Sequence, residues 1–239
     1  MENEVAVYLI PVTLGDTPVE QVLPSYNRDV ILRLRHFVVE NVRSARRFLK
    51  RVERSLDIDA LTFYELNEHT SDAAGVGSVV VGLCRSGESV GIISEAGCPA
   101  VADPGADVVA VAQQHGIRVV PLVGPSSILL TVMAAGMNGQ SFAFNGYLPI
   151  DDARRTERIR QLERRATSEG QTQLFIETPY RNARLVEQLL ATLQPSTRLC
   201  IASDVTCADE SIVTRTVRQW RDARSFVVPR VPTMFAIGR

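Results

Sequence analysis

The residues with the clearest chemical potential lie in two short runs, residues 94–105 (SEAGCPAVADPG) and residues 120–128 (VPLVGPSSI). The first follows an apolar, strand-like stretch and precedes a helical one. In open parallel sheets, ligands occupy the crevice beyond the carboxyl ends of the strands, so this is a position where a site belongs. Gly97 and Gly105 let the backbone pass close to a ligand, while Pro99 and Pro104 stiffen the loop. Asp103 serves either as a helix N-cap or as an acceptor for a ligand hydroxyl. In the second run, Ser126 and Ser127 open a helix behind Gly124 and Pro125. Exposed N–H groups and two hydroxyls at a helix start suit an adenosine or a carboxylate, with a plain serine cap as the alternative.

Positioning these loops requires strands and helices in alternation, and the pattern supplies them. Residues 5–12, 36–40, 62–66, 89–94 and 118–123 read as strands; residues 42–56, 76–84, 106–114 and 126–135 read as helices. Beyond Gly124 the rhythm restarts, with strands at 141–148, 173–177, 198–203 and 232–237 and helices at 154–166 and 181–193. This predicts an α/β protein whose sheets are mostly parallel and covered by helices on both faces. The expected lobes are residues 1–123 and 124–239. Gly75-Val76-Gly77 has no strand before it and reads as a turn, and no G-x-G-x-x-G follows a strand.

Among 239 residues, 45% are hydrophobic and 22% charged, ordinary for a packed globular chain that needs neither disulfides nor metals. A formal net charge of −1 argues against gripping nucleic acid by bulk positive charge, but not against a local basic patch. Cys84, Cys98, Cys200 and Cys207 form no C-x-x-C, which points to a reducing, cytoplasmic compartment and no metal. The first eleven residues lack the features of a signal peptide, and no apolar run is long enough to span a membrane.

Within residues 42–56 the cations Arg43, Arg46, Arg47, Lys50, Arg51 and Arg54 fall in an arc of roughly 140° at helical spacing. Val42, Ala45, Phe48, Leu49, Val52 and Leu56 take the other side. Six like charges with a single acid, Glu53, among them repel, which favours an anionic partner; RNA phosphate and a merely solvated face stay open as equal readings. A second arginine-rich helix at 154–166 is diluted by acids.

The two loops resemble, in order and spacing, those of the 16S ribosomal-RNA 2′-O-ribose methyltransferase family, a branch of the tetrapyrrole-methylase class. There, S-D-A-G-x-P-x-x-S-D-P-G precedes P-G-P-S-A. Similar matches follow in FNGYLP (144–149), FIETPYR (175–181) and the YELNEH stretch around Leu66 to Glu68. The resemblance implies a two-lobed fold of mostly parallel or mixed sheets flanked by helices, with S-adenosylmethionine in the cleft between the lobes and no metal. Carried over position by position, it assigns Pro11, Gly97, Cys98, Pro99, Val101, Ser126, Ser127, Ile128, Thr178 and Pro179 to the cofactor. It also implies an RNA or small-ribosomal-subunit partner and a homodimer. Glu40 and Arg43, in E-N-V-R where the family has E-D-T-R, are the candidate base and orienting cation for a ribose hydroxyl. Glu68 and Glu177 are second choices. His36, His69 and His115 do not sit in arrangements typical of nucleophile activation. PVTLGDT (11–17) and SDVTCADES (203–211) depart from the family pattern on the expected substrate side. A small-molecule methyltransferase of the same class and a non-catalytic relative are the alternative readings.

Overall fold

A computed structural model describes residues 5–66, 73–223 and 227–239. Glu68 and His69 therefore lie outside the described residues. The chain divides into two compact units, Met1–Ser126 and Ser127–Arg239.

Unit 1 is built on five parallel strands: β1 (Val7–Ile10), β2 (His36–Val39), β3 (Thr62–Glu65), β4 (Val90–Ile93) and β5 (Val119–Pro121), in the order β3-β2-β4-β1-β5. The chain moves outward from β1 to β2 and β3 through α1 (Val19–Val22), α2 (Ser25–Ile31) and α3 (Val42–Val52). It then returns through α4 (Ala73–Arg85) to place β4 beside β1, and crosses to β5 through α5 (Gly105–Gln114). Two apolar cores result, one on each face of the sheet. Ile31, Leu34, Phe48 and Leu49 pack with Ile10, Phe37 and Ile93. Val80, Val108 and Ala112 pack with Val7, Val38 and Ile92. A central parallel strand covered on both faces must be apolar throughout, and every residue of β4 is buried. Because all five strands run parallel, the loops after β1, β2, β4 and β5 lie at the same carboxyl edge.

α3 begins at Asn41, whose side chain accepts from the N–H groups of Arg43 and Ser44, and ends where Glu53 turns extended. It is four residues shorter than the periodicity suggested. Gly75 and Gly77 lie inside α4 rather than in a turn. Helix α4 packs on α5 closely enough that a Cβ at Gly77 would sit 3.0 Å from Val111.

Unit 2 has a mixed sheet, β6-β7-β10-β8-β9, formed by β6 (Phe142–Tyr147), β7 (Thr172–Glu177), β8 (Arg198–Ser203), β9 (Ser211–Thr216) and β10 (Thr233–Gly238). Only β6 and β7 pair in parallel; the β7–β10, β10–β8 and β8–β9 pairs are antiparallel. Helices α6 (Ser127–Ala135), α7 (Asp152–Ser168), α8 (Asn182–Thr192) and α9 (Val217–Asp222) complete the unit. Its core stacks Phe175 on Phe235, with ring centroids 5.8 Å apart. The indole of Trp220 donates to Leu199 O at 2.8 Å. Arg155 is not a surface cation of the second basic helix: it is 2% exposed and bonds Asp152 and Gln188.

Among the described residues, no helix is long and apolar enough to cross a membrane, and no cluster of side chains could hold a metal ion. All four cysteines are free thiols.

Candidate functional site

Three strand-end loops of unit 1 are drawn together. Val12 N–H donates to Gly97 O at 2.9 Å, joining the β1 loop to the β4 loop. The Cys98 thiol donates to Pro125 O at 3.4 Å, joining the β4 loop to the β5 loop. The β5 loop in turn rests on the β1 loop at Gly124, where a Cβ would stand 2.3 Å from Pro11 Cβ. That separation is impossible for real atoms, so only glycine permits this approach. Asn27 of α2, buried at 2% exposure, supports the same turn by donating its amide to Val123 O at 2.9 Å.

The β4 loop is bent by three residues with left-handed backbone: Gly97 (φ 72°), Ala100 (φ 65°) and Ala102 (φ 61°). Two alanines in this region carry a steric cost, and they persist where surrounding contacts enforce them. Asp103 enforces part of the bend: its Oδ1 accepts from Ala100 N–H at 3.0 Å and Gly105 N–H at 2.7 Å. Its Oδ2 is buried with no partner among the described residues. Burial pushes the Asp103 carboxyl above its usual range, against the pull of those N–H donors. Burial also pushes up the Cys98 thiol. Pro99 is buried, and Val101 is exposed at the loop's crown. Ser126 closes the β5 loop as the last residue of unit 1; Ser127 and Ile128 begin α6.

Glu40 and Arg43 flank the end of β2. One oxygen of the Glu40 carboxylate accepts Glu95 N–H at 3.1 Å, which ties the β2 end to the β4 loop. The Ser44 hydroxyl reaches the Glu95 carboxylate, so the first turn of α3 is held to the same loop. Arg43 is exposed on that turn. Glu95 and Asn27 are contributors that the sequence reading passed over. Glu95 sits inside the singled-out loop, where a carboxylate was the available signal. Asn27 lies in a stretch that carried no periodic signal.

The cationic face of α3 has acids nearby after all, supplied from neighbouring elements. Asp59 pairs with Arg46 at 2.5 Å, and Asp16 lies 3.7 Å from Arg51.

In unit 2, Thr178 and Pro179 follow β7. Glu177 closes that strand with one oxygen, Oε1, accepting from Thr178 N–H at 2.7 Å and from Arg181 Nη2 at 2.7 Å and Nε at 2.9 Å. The side chain is 1% exposed, and Oε2 is buried without a partner among the described residues. A carboxylate so enclosed, clamped to an arginine, is suited to fixing the Thr178-Pro179 turn rather than to exchanging protons with a substrate.

The chain is similar to known proteins. A curated relative from Mesorhizobium japonicum, named ribosomal RNA small subunit methyltransferase I, is 34% identical over 154 residues, 64% of this chain and 51% of its own length. The protein of that name from Vibrio cholerae is 27% identical over 206 residues, covering 86% of this chain and 67% of its own. This chain thus spans about half the length of the first relative. The solved structure of uroporphyrin-III C-methyltransferase from Thermus thermophilus, complexed with S-adenyl homocysteine, has the same fold. It matches with a TM-score of 0.56 at 16% identity, over 98% of this chain and 97% of that one. The tetrapyrrole (corrin/porphyrin) methylases match over residues 27–220, which include the β2, β4 and β5 loops, and the chain belongs to that family.

Proposed function

We propose that the protein is an S-adenosylmethionine-dependent methyltransferase that modifies RNA of the small ribosomal subunit at a ribose 2′-hydroxyl. The observation that carries this reading is the convergence of the β1, β4 and β5 loops, with Gly124 where a side chain would not fit and Gly97 where one would crowd Leu14 and the Pro125 carbonyl. The relatives named for small-subunit ribosomal RNA methylation support the choice of substrate. The neighbour solved with S-adenyl homocysteine supports the choice of cofactor.

The residues present fit such a cofactor. Gly97 and Gly124 keep the backbones of the β4 and β5 loops thin, and the Asp103 oxygen that is buried without a partner among the described residues lies in the β4 loop. Pro11, Gly97, Cys98, Pro99, Val101 and Ser126 would hold the cofactor from unit 1. Ser127, Ile128, Thr178 and Pro179 are assigned to it on the family pattern alone. When bound, the cofactor supplies an electrophilic methyl group on a sulfonium. Such a displacement depends chiefly on alignment and on exclusion of water, which a preformed loop assembly provides. A ribose hydroxyl is a weak nucleophile while protonated. Glu40, steadied by Glu95 N–H, takes the proton as the oxygen gains the methyl, and Arg43 orients the hydroxyl or its phosphate. The α3 face meets the RNA, and the protein works as a cytoplasmic homodimer.

Incubation with labelled S-adenosylmethionine and small ribosomal subunits, followed by mapping of the label, should place it on a ribose of small-subunit RNA. Failure of the protein to bind the cofactor in calorimetry would reject the proposal. A small-molecule substrate such as a tetrapyrrole is the second reading, favoured by the family description. Neutralising Arg47, Lys50 and Arg54 together, which leaves Glu40 and Arg43 in place, separates the two: RNA methylation should be abolished, whereas a small-molecule reaction would survive.

A further inference from the structure

Two concavities of unit 1 meet at α1. The larger, about 980 Å³, has a wall of Arg46, Arg47, Lys50, Arg51 and Arg54 from α3 and the turn after it. The smaller, about 200 Å³, is walled mainly by Leu23, Pro24, Ile31 and Val52, with Ser25, Asn27 and Arg28 also lining it. Val19 and Glu20 line both.

We infer that this pair of concavities is a binding site for single-stranded RNA, with backbone phosphates on the cationic wall and one unstacked base in the apolar pocket. The inference rests on the RNA reading above for its choice of polymer and deepens it by naming the strand state and the base contact. Five cations against three carboxylates (Glu20, Asp57 and Asp59) leave the larger concavity positive in a chain whose net charge is −1. The cations are held in place: Arg51 Nη2 donates to Thr17 O at 2.7 Å and Lys50 Nζ to Arg54 O at 2.9 Å. Asp59 engages Arg46. Among the described residues Arg47 has no ion pair and offers its full charge.

Size decides what the smaller pocket takes. Drug-sized ligands occupy roughly 300–1,000 Å³. At about 200 Å³ this pocket falls below that range and suits one flat heterocycle. A base paired and stacked in a duplex cannot enter it, whereas a base of a loop or single strand can be splayed out and seated on apolar walls. Glu20 stands at the seam between phosphate wall and base pocket. A carboxylate there repels phosphate but accepts from an exocyclic amino group, which favours an amino-bearing base over uracil.

Fluorescence anisotropy with labelled oligoribonucleotides tests this on the intact chain. Oligocytidine should bind more tightly than oligouridine, than the same strand made abasic, and than a duplex of equal length. Each phosphate contact on a single strand contributes a slope of about 0.7 in log K against log salt, so Arg47→Ala/Lys50→Ala should lower the slope by about 1.4. Its affinity should fall at least about tenfold. Ser25→Trp, at an exposed position beside the pocket, should bring oligocytidine down to the abasic strand while leaving inorganic polyphosphate binding unchanged. Glu20→Gln should narrow the difference between oligocytidine and oligouridine. Thermal unfolding of each variant confirms that it is folded. Equal affinity for abasic and base-bearing strands, tighter binding of the duplex, or an unchanged salt slope in the double variant would each overturn the inference. Calorimetry with S-adenosylmethionine on the same samples keeps the two readings apart. Cofactor binding without the RNA pattern sinks this site alone, and the RNA pattern without cofactor binding sinks the enzyme alone.

Discussion

Replacing Gly97 with alanine isolates the contact between the β4 and β5 loops, provided a second glycine serves as its control. Gly97 and Gly116 have nearly the same left-handed backbone, φ 72° and 67°. An added Cβ at Gly116 meets nothing within 4 Å, whereas at Gly97 it comes 3.1 Å from Leu14 Cδ2 and 3.3 Å from Pro125 O. Both alanines incur about 1–2 kcal/mol for the left-handed region. Both recover about 0.4–1 kcal/mol from a stiffer unfolded chain. Gly116→Ala should therefore lose about 1 kcal/mol. Gly97→Ala adds crowding: Leu14 can swing aside, but the Pro125 carbonyl is backbone and must be pushed away. Overpacking of this kind costs about 1 kcal/mol at its low end. The difference, about 1 kcal/mol, corresponds to about 2–4 °C in thermal midpoint for a chain of this size. Because the displaced loop is the one assigned to the cofactor, S-adenosylmethionine should bind about tenfold more weakly to Gly97→Ala, equivalent to about 1.4 kcal/mol. Gly116→Ala, at the opposite edge of the sheet, should bind it normally. Scanning calorimetry and titration calorimetry read the two quantities. Equal midpoints and equal affinities in both variants would refute the reasoning.

Three further outcomes are expected. Glu40→Gln keeps an oxygen for the Glu95 N–H but cannot take a proton, so single-turnover methylation should slow by about 10²-fold or more with cofactor affinity unchanged; a rate within a few-fold of the parent rules out Glu40 as the base. Glu177→Gln removes the charge that Arg181 faces inside unit 2 and should cost about 2 kcal/mol, read as a lower urea midpoint at unchanged slope. Glu53 is held at about 2, against an ordinary 4.5, by the Ser55 hydroxyl and N–H and by Arg28. A depressed carboxyl stabilises the fold above its ordinary value and loses that contribution as pH falls from 4.5 to about 2. The thermal advantage of the parent over Glu53→Gln should accordingly be full at pH 5 and gone near pH 2; an advantage that persists there contradicts the assignment.

Much of unit 1 was legible because its elements are long or uniformly apolar. The β4 run is buried on both faces and reads as one block. Helix α3 declares itself through Ala45, Phe48, Leu49 and Val52 at helical spacing. The short helices α1 and α2 were missed: each follows a proline, and four and seven residues do not establish a period. Strand β9 was missed because it is an edge strand with no fully buried residue. The tight turn before it, with Asp204 and Thr206 at positive φ, makes a hairpin where alternation of strand and helix had been expected. The same reversal of direction accounts for the three antiparallel pairings of the second sheet. At the candidate site, the loop residues could be named from their types, but the bonds that join the loops could not. Those depend on β1 lying between β4 and β5, a strand order that no local pattern encodes.

The position of β10 has a bearing on how the molecule is made. Unit 1 takes all five of its strands from the first 121 residues in chain order, so it has everything it needs while synthesis is still under way. Unit 2 must leave a gap in the middle of its sheet until residues 233–238 are available, because β10 bonds to both β7 and β8. Until then, two apolar strand edges stand open. Loss of this one strand would leave two separate pairs, β6–β7 and β8–β9, rather than a smaller sheet.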